Sequence, residues 1–285
     1  MAKSIIPDVI DAASNRRSFV RKLGIAAAAA GAVSLTGQKA EAQTSTDISV
    51  LNFALNLEYL EAEFYTYATT GESITSLGLG INGVANGSNP TSGGYTIGGS
   101  QVTFANSLVY TQQVANEIAA DERAHVALLR GALGSAAVAK PNINLGALGF
   151  GFGSQNDFLK LARIFEDIGV SAYAGAAPLL STAPLGTGTI LGYAAQILAA
   201  EAEHVANIRL QIARLNVATF ALDPVDIIPP PSGSKYFSLD NNGLCVTRTP
   251  GQVLYLAYGL QANVSSGGFF PTGVNGAFTM SSTAA

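Results

Sequence analysis

Apolar residues recur at helical spacing along four stretches of the chain, and the segments between them lose that period. In the first stretch Leu51, Ala54, Leu55, Tyr59 and Ala62 form a stripe, which predicts a helix over about residues 47–68, with Thr46 or Asp47 able to cap its start. Further helices are expected over about residues 104–134, 156–180 and 189–216, the third capped by Asn156 or Asp157 and ending near Pro178. Between residues 69 and 101 Gly, Ser, Thr and Asn dominate, which predicts a long loop with a short hairpin near residues 95–104. Such an insertion can cover one end of the helices, meet a partner, or lie passively on the surface. Residues 135–154, rich in Gly and Ala and containing Pro141, read as a crossover long enough to travel the length of a bundle. The expected fold is therefore all-α: a four-helix bundle in up-down-down-up order over residues 43–217, with an irregular extension at residues 218–285. That extension carries rigid prolines at 229–231 and one expected helix near residues 249–258. Its apolar residues are too few and scattered to close a core of their own, so it is expected to wrap the outside of the bundle.

The first 42 residues have a different character. Asn15-Arg16-Arg17-Ser18-Phe19-Val20-Arg21-Lys22 is a twin-arginine signature, followed by an apolar run from Leu23 to Leu35 and the small-residue site Ala40-Glu41-Ala42. The run is 13 residues long, whereas a membrane span needs about 20. Cleavage after Ala42 is expected, leaving Gln43 first and no stable membrane anchor, with the product periplasmic or secreted. Proteins taking this route generally cross the membrane folded, which suits a protein that carries a metal.

The chemistry is concentrated in an internal repeat. Residues 118–130 read IAADERAHVALLR and residues 197–209 read ILAAEAEHVANIR, so that Glu122, His125 and Arg130 fall on Glu201, His204 and Arg209. The chain has only two histidines, and each ends a Glu-x-x-His; at that spacing both side chains leave one helix face about one turn apart, where a metal can bridge them. Upstream, Glu58 has Tyr65 seven residues on, and Glu166 has Tyr173 seven residues on. Seven residues is close to two turns, so each Glu shares a face with its Tyr. One Glu from each of two helices and one Glu-x-x-His from each of the other two is the ligand set of a two-metal carboxylate bundle. Three acids compete on the first helix: Glu58 is chosen for its Tyr at +7, Glu61 is the fallback, and Glu63 is read as a solvated surface charge. Asp167 points about 100° away from Glu166 and is not expected to share its metal. Asp121 either orients a histidine from the facing helix or is a solvated acid; Ala200 stands at its place in the second repeat. Glu117 is read as surface.

These residues give the chain a resemblance to the ferritin-like superfamily of the di-iron/di-manganese carboxylate type, and within it to bacterial ferritin-like domain proteins related to desiccation-associated proteins. The resemblance covers roughly residues 46–217, and the segments Arg248-Thr-Pro-Gly-Gln-Val-Leu and 267–276 look like the closing part of that subgroup. It implies a dinuclear centre of two Fe or Mn ions, with Glu122 and Glu201 bridging, His125 and His204 each completing one metal, and Glu58 and Glu166 terminal. Tyr65 and Tyr173 then either hydrogen-bond the opposite ligands or supply an electron, or are simple core tyrosines. Carboxylate and imidazole suit iron and manganese, although zinc or cobalt can occupy such a site. The partner implied is a small-molecule oxidant or a metal ion, and a homodimer is compatible with the chain.

Without cations, six ionisable groups facing one another in a bundle core, four of them carboxylates, carry a heavy desolvation and repulsion cost that two divalent metals would remove. Three function classes follow: an exported di-metal oxidoreductase acting on peroxide, oxygen or ferrous iron; a desiccation or stress-protection protein in which the metal is structural; and, ranked last because the insertion and tail obstruct close packing, a metal-storage shell. From Gln43 onward there are nine Lys and Arg against sixteen Asp and Glu, with no basic patch of the kind nucleic acid requires. Cys245, the only cysteine, cannot form a disulfide within the chain and is expected to be buried and inert.

Overall fold

The computed structural model describes residues 43–85, 89–105 and 110–285. The expected twin-arginine signal peptide, residues 1–42, lies outside them. Four long helices dominate: α1 (Ser45–Thr70), α2 (Thr111–Leu133), α3 (Gln155–Ala176) and α4 (Ile190–Arg214), joined later by the short α5 (Pro250–Ala257). The helix caps fall slightly upstream of where the sequence placed them. Thr44, not Thr46 or Asp47, caps α1: its hydroxyl accepts from Asp47 N, and the Asp47 side chain accepts from the Thr44 backbone in return. Ser154 rather than Asn156 or Asp157 caps α3, accepting from Asp157 N. Thr189 and Thr249 cap α4 and α5 in the same way. The last turn of the third expected helix is a separate 3-10 turn, Ala177–Leu179, with Pro178 inside it.

Helix α1 pairs with α2, and α3 with α4, as two hairpins that pack on each other. The 0–3 % exposure of Val50, Leu55, Tyr59, Phe64 and Ala68 shows that α1 is buried on every side, not along one stripe. Its polar residues explain how that is tolerated. Asn52 donates to Ala136 O and accepts from Val138 N, and Asn56 does the same with both backbone groups of Asn275. The crossover and the C-terminal tail are thus bonded to α1 as a strand would be, leaving no buried amide unsatisfied there.

Glu63 overturns the surface reading. It is buried, takes an ion pair from Lys140 Nζ at 3.1 Å, and accepts from Thr96 Oγ1 and Ile74 N. Ile74 follows soon after the end of α1, but Thr96 and Lys140 belong to segments that fold over it from farther along the chain, and nothing local announces them. The insertion is accordingly a packed cover and not a passive loop: Ile74 and Val102 are buried in the core. No hairpin forms at residues 95–104. Instead β1 (Gly83–Val84) pairs antiparallel with β2 (Pro90–Thr91), and β3 (Thr96–Ile97) pairs in parallel with β4 (Ile143–Asn144) of the crossover. The glycines allow this close approach: a Cβ on Gly83 would stand 2.3 Å from Ala137 O.

β5 (Pro184–Leu185) and β6 (Gly188–Thr189) make the tight turn between α3 and α4. The tail is clasped to α3 by Arg248, which holds Asp223 through two hydrogen bonds of 2.8 and 2.9 Å and donates to Ser171 Oγ. Cys245 is half-buried in this tail, more open than the sequence suggested, because it closes a turn against Leu239 at the surface. No described helix is long and apolar enough to cross a membrane.

Candidate metal centre

Each helix of the bundle delivers its share of the ligand set to one buried point. Glu58 comes from α1, Glu122 and His125 from α2, Glu166 from α3, and Glu201 and His204 from α4; the four carboxylates are 0 % exposed. They form two overlapping sets, Glu58, Glu122, His125 and Glu201 on one side and Glu122, Glu166, Glu201 and His204 on the other, each able to hold a metal ion. Glu122 and Glu201 are common to both. Of the three acids on α1, Glu58 is the one in the cluster; Glu61 is buried beside it without joining either set.

The distances have the spacing of donors around a shared ion. His125 Nδ1 stands 3.2 Å from Glu58 Oε2, 3.4 Å from Glu122 Oε2 and 3.5 Å from Glu201 Oε1. His204 Nδ1 stands 3.1 Å from Glu122 Oε1 and 3.2 Å from Glu166 Oε2. Glu122 therefore turns one oxygen to each histidine. A single imidazole proton cannot serve three acceptors, and bonds of about 2.0–2.2 Å to a common metal place its ligand atoms roughly 3 Å apart. Glu58 Oε2, both oxygens of Glu122 and of Glu201, Glu166 Oε2 and the two Nδ1 atoms are buried without a hydrogen bond. Buried polar atoms are almost always paired, so this concentration of orphans at one point fits a cation that takes their lone pairs.

The two tyrosines explain why Glu58 and Glu166 each turn only one oxygen inward. Tyr65 Oη donates to Glu166 Oε1 and Tyr173 Oη donates to Glu58 Oε1, both at 2.5 Å. The pairing is crosswise because α1 and α3 run antiparallel, so a Tyr two turns along one helix meets the Glu of the other. Burial, and then the adjacent carboxylate, holds both phenols well above their ordinary range, so they remain donors.

With cations absent, protons must supply the positive charge. Burial pushes the Glu58 carboxyl up to about 7 and pushes Glu166 up and Glu201 and Glu61 well up. Burial acts upward on Glu122 too, but the two histidines beside it outweigh this and hold it below the ordinary carboxylate range. Burial opposes charge on His125 and His204, yet the surrounding carboxylates win and raise both.

Around this centre the repeat continues into its supports. Arg130 Nη1 donates to Tyr59 Oη, and Tyr59 is the residue after Glu58; Arg209 Nη1 donates to Asp167 Oδ2, and Asp167 is the residue after Glu166. Each arginine also binds a backbone carbonyl of an added segment, Asn82 O in the insertion and Lys235 O and Tyr236 O in the tail. The insertion and the tail thus do the same job for the two halves. The repeated Arg was visible in the sequence, but its target was not. Asp121, half-exposed, places Oδ2 3.4 Å from His204 Nε2, which decides between its two readings in favour of the histidine on the facing helix. Glu117 is exposed.

Gly169 was not singled out by the sequence. It lies three residues after Glu166, where α1 has Glu61 after Glu58, and a Cβ there would come within 2.5 Å of Glu201 Oε2 and 3.3 Å of Glu61 Oε1. Gly169→Ala is expected to displace the Glu201 carboxylate while leaving the helices formed. Metal affinity measured by competition with a chelator should fall at least about tenfold, as it does when a ligand's support is lost; unchanged affinity would show that Glu201 is not a ligand.

A ferritin-like domain family matches residues 46–214, which spans all four long helices and every residue of the centre. No curated protein matches the chain. With more than half of its length covered by that match, the chain belongs to the ferritin-like domain family.

Proposed function

We propose that this is an exported ferritin-like protein that holds a dinuclear Fe or Mn centre and uses it for redox chemistry on peroxide, oxygen or ferrous iron in stress protection. The observation that carries the reading is the set of buried, unpartnered carboxylate oxygens and imidazole Nδ1 atoms facing one another at the bundle centre. In this reading Glu58, Glu122, His125 and Glu201 would hold one ion and Glu122, Glu166, Glu201 and His204 the other, with Glu122 and Glu201 shared between them. A bound pair of such ions supplies one-electron steps and a place for oxygen or peroxide to bind. The chain's own residues do the rest. Tyr65 and Tyr173 fix Glu166 and Glu58 by donating a hydrogen bond to the carboxylate oxygen that faces away from the cluster. The four Phe and Tyr rings around Phe64 (Tyr65, Phe152, Phe158 and Phe165) keep bulk water from one side.

Export rests on the twin-arginine signature and the small-residue cleavage site alone. The test is metal content of protein from its native compartment by inductively coupled plasma mass spectrometry, followed by peroxide and ferrous-iron turnover. Two Fe or Mn per chain with turnover is the expected result. Folded, helical protein with no metal would overturn the reading. A second reading, desiccation or stress protection with a structural metal, is supported by the packing of the insertion, crossover and tail onto α1 beside its neighbouring helices. Metal without turnover, together with protection of a dried reporter enzyme, would select it.

A further inference from the structure

We infer that the two metal positions are not equivalent: the position faced by Glu166 and His204 binds more tightly and fills first, and the position faced by Glu58 and His125 is the exchangeable one. This rests on the metal-binding reading above. The ligands themselves do not distinguish the positions. Each has one terminal Glu, one His and the shared Glu122 and Glu201, and each terminal Glu is held by a tyrosine at 2.5 Å. The difference lies one layer out, where the internal repeat breaks.

On the His204 side, Asp121 stands at the ring nitrogen that faces away from the cluster. A carboxylate there holds the proton on Nε2, fixes the ring plane and leaves the Nδ1 lone pair for a metal. On the His125 side, the repeat puts Ala200 at the matching place, and no described residue gives His125 Nε2 a hydrogen bond. The helix segments carrying the terminal glutamates differ in the same sense. Asp167, beside Glu166, is held by the fully buried Arg209 at 2.9 Å and by Arg163, which itself binds Asp226 at 2.8 Å. Tyr59, beside Glu58, is a neutral partner: it accepts from the half-buried Arg130 and donates to Val138 O at 3.3 Å, with no carboxylate in the contact. Ligands whose orientation is fixed in advance lose less freedom when the ion arrives. A partner of this kind on a ligating histidine changes affinity about 10–100-fold.

The experiment is a titration of metal-free, full-length protein with cobalt(II), with anomalous diffraction from crystals grown at one equivalent per chain. Anomalous density at Glu166–His204 is expected, with a second, weaker binding step by calorimetry about 10–100-fold apart. Two variants leave all six ligands in place. Asp121→Asn should bring the two steps within a few-fold of each other, and Ala200→Asp, which supplies the missing carboxylate, should strengthen the weak step. Equal density at both positions, or density first at Glu58–His125, overturns the inference, as does an unchanged separation of the two steps in Asp121→Asn. A wild-type protein that takes up no cobalt overturns the metal-binding reading as well, so the two failures are distinct.

Discussion

Replacing His125 and His204 together with alanine is expected to empty the centre and to remove any effect of metal on stability. Each of the two ligand sets loses its only nitrogen donor, and what remains is four carboxylates that repel one another in a dry site. A metal that binds only the folded protein stabilises it by mass action, by about 4 kcal/mol when free metal exceeds its dissociation constant a thousandfold. Melts of wild-type protein should therefore shift upward as manganese or ferrous iron is added, and melts of the double variant should not move. Its unfolding midpoint should lie modestly below that of chelated wild type, because the imidazole–carboxylate contacts of the metal-free centre go with the two rings while the aromatic core around Phe64, Phe158 and Phe165 stays. Full retention of metal by the double variant would show that the histidines are not ligands. The two readouts, metal content and the metal-dependent shift, fail separately, so a variant that misfolds is recognised by its lost helicity.

Much of this centre is legible in the sequence because its chemistry obeys helical periods. Two histidines, each ending a Glu-x-x-His, and two Glu residues with Tyr at +7 identify four faces that must meet. The +7 spacing has a physical reason that only the fold supplies: antiparallel α1 and α3 exchange tyrosines across the cluster. What the sequence hides is long-range. Glu63 reads as a surface acid because its partners, Ile74, Thr96 and Lys140, arrive from the insertion and the crossover. β3 finds its partner at Ile143 and Asn144 and not in a local hairpin, since the Gly-rich insertion can lie flat against the crossover backbone. The stripe on α1 understates its burial for the same reason, as Asn52 and Asn56 look solvent-facing until the crossover and Asn275 dock on them. The caps fall two or three residues early because a capping box takes its acid from N3, so Asp47 marks the first turn rather than the cap. Gly169 carries no signal by itself; it becomes legible only when α3 is laid on α1 and a glycine is found opposite Glu61.

Metal-free protein is expected to lose stability as the pH rises from about 5 to about 8, whereas metal-loaded protein should not. Glu58 shows the sense of the effect: burial raises its carboxyl from the ordinary 4.5 to about 7. Between those values the folded protein keeps a proton that the unfolded chain releases, so raising the pH favours unfolding, by on the order of 3 kcal/mol from this group once pH 7 is passed. Glu166, Glu201 and Glu61 are raised by burial and act in the same direction. The histidines add to it. Burial opposes their charge, but the carboxylates raise them above the ordinary 6.5, so the stability they confer is fully present below about that pH and is lost as pH rises beyond it. Glu122, held low, contributes stability that is already complete above its ordinary value. Bound metal replaces these protons with charge that does not titrate away, and its affinity rises as competing protons leave. Urea denaturation at about pH 5.5 and about pH 8, with and without chelator, checks the whole chain of argument. The chelated protein should be less stable at the higher pH by several kcal/mol, and added metal should restore more stability there than at the lower pH. Chelated protein that is equally stable or more stable at the higher pH would mean that the buried carboxylates are not neutralised by protons when metal is absent.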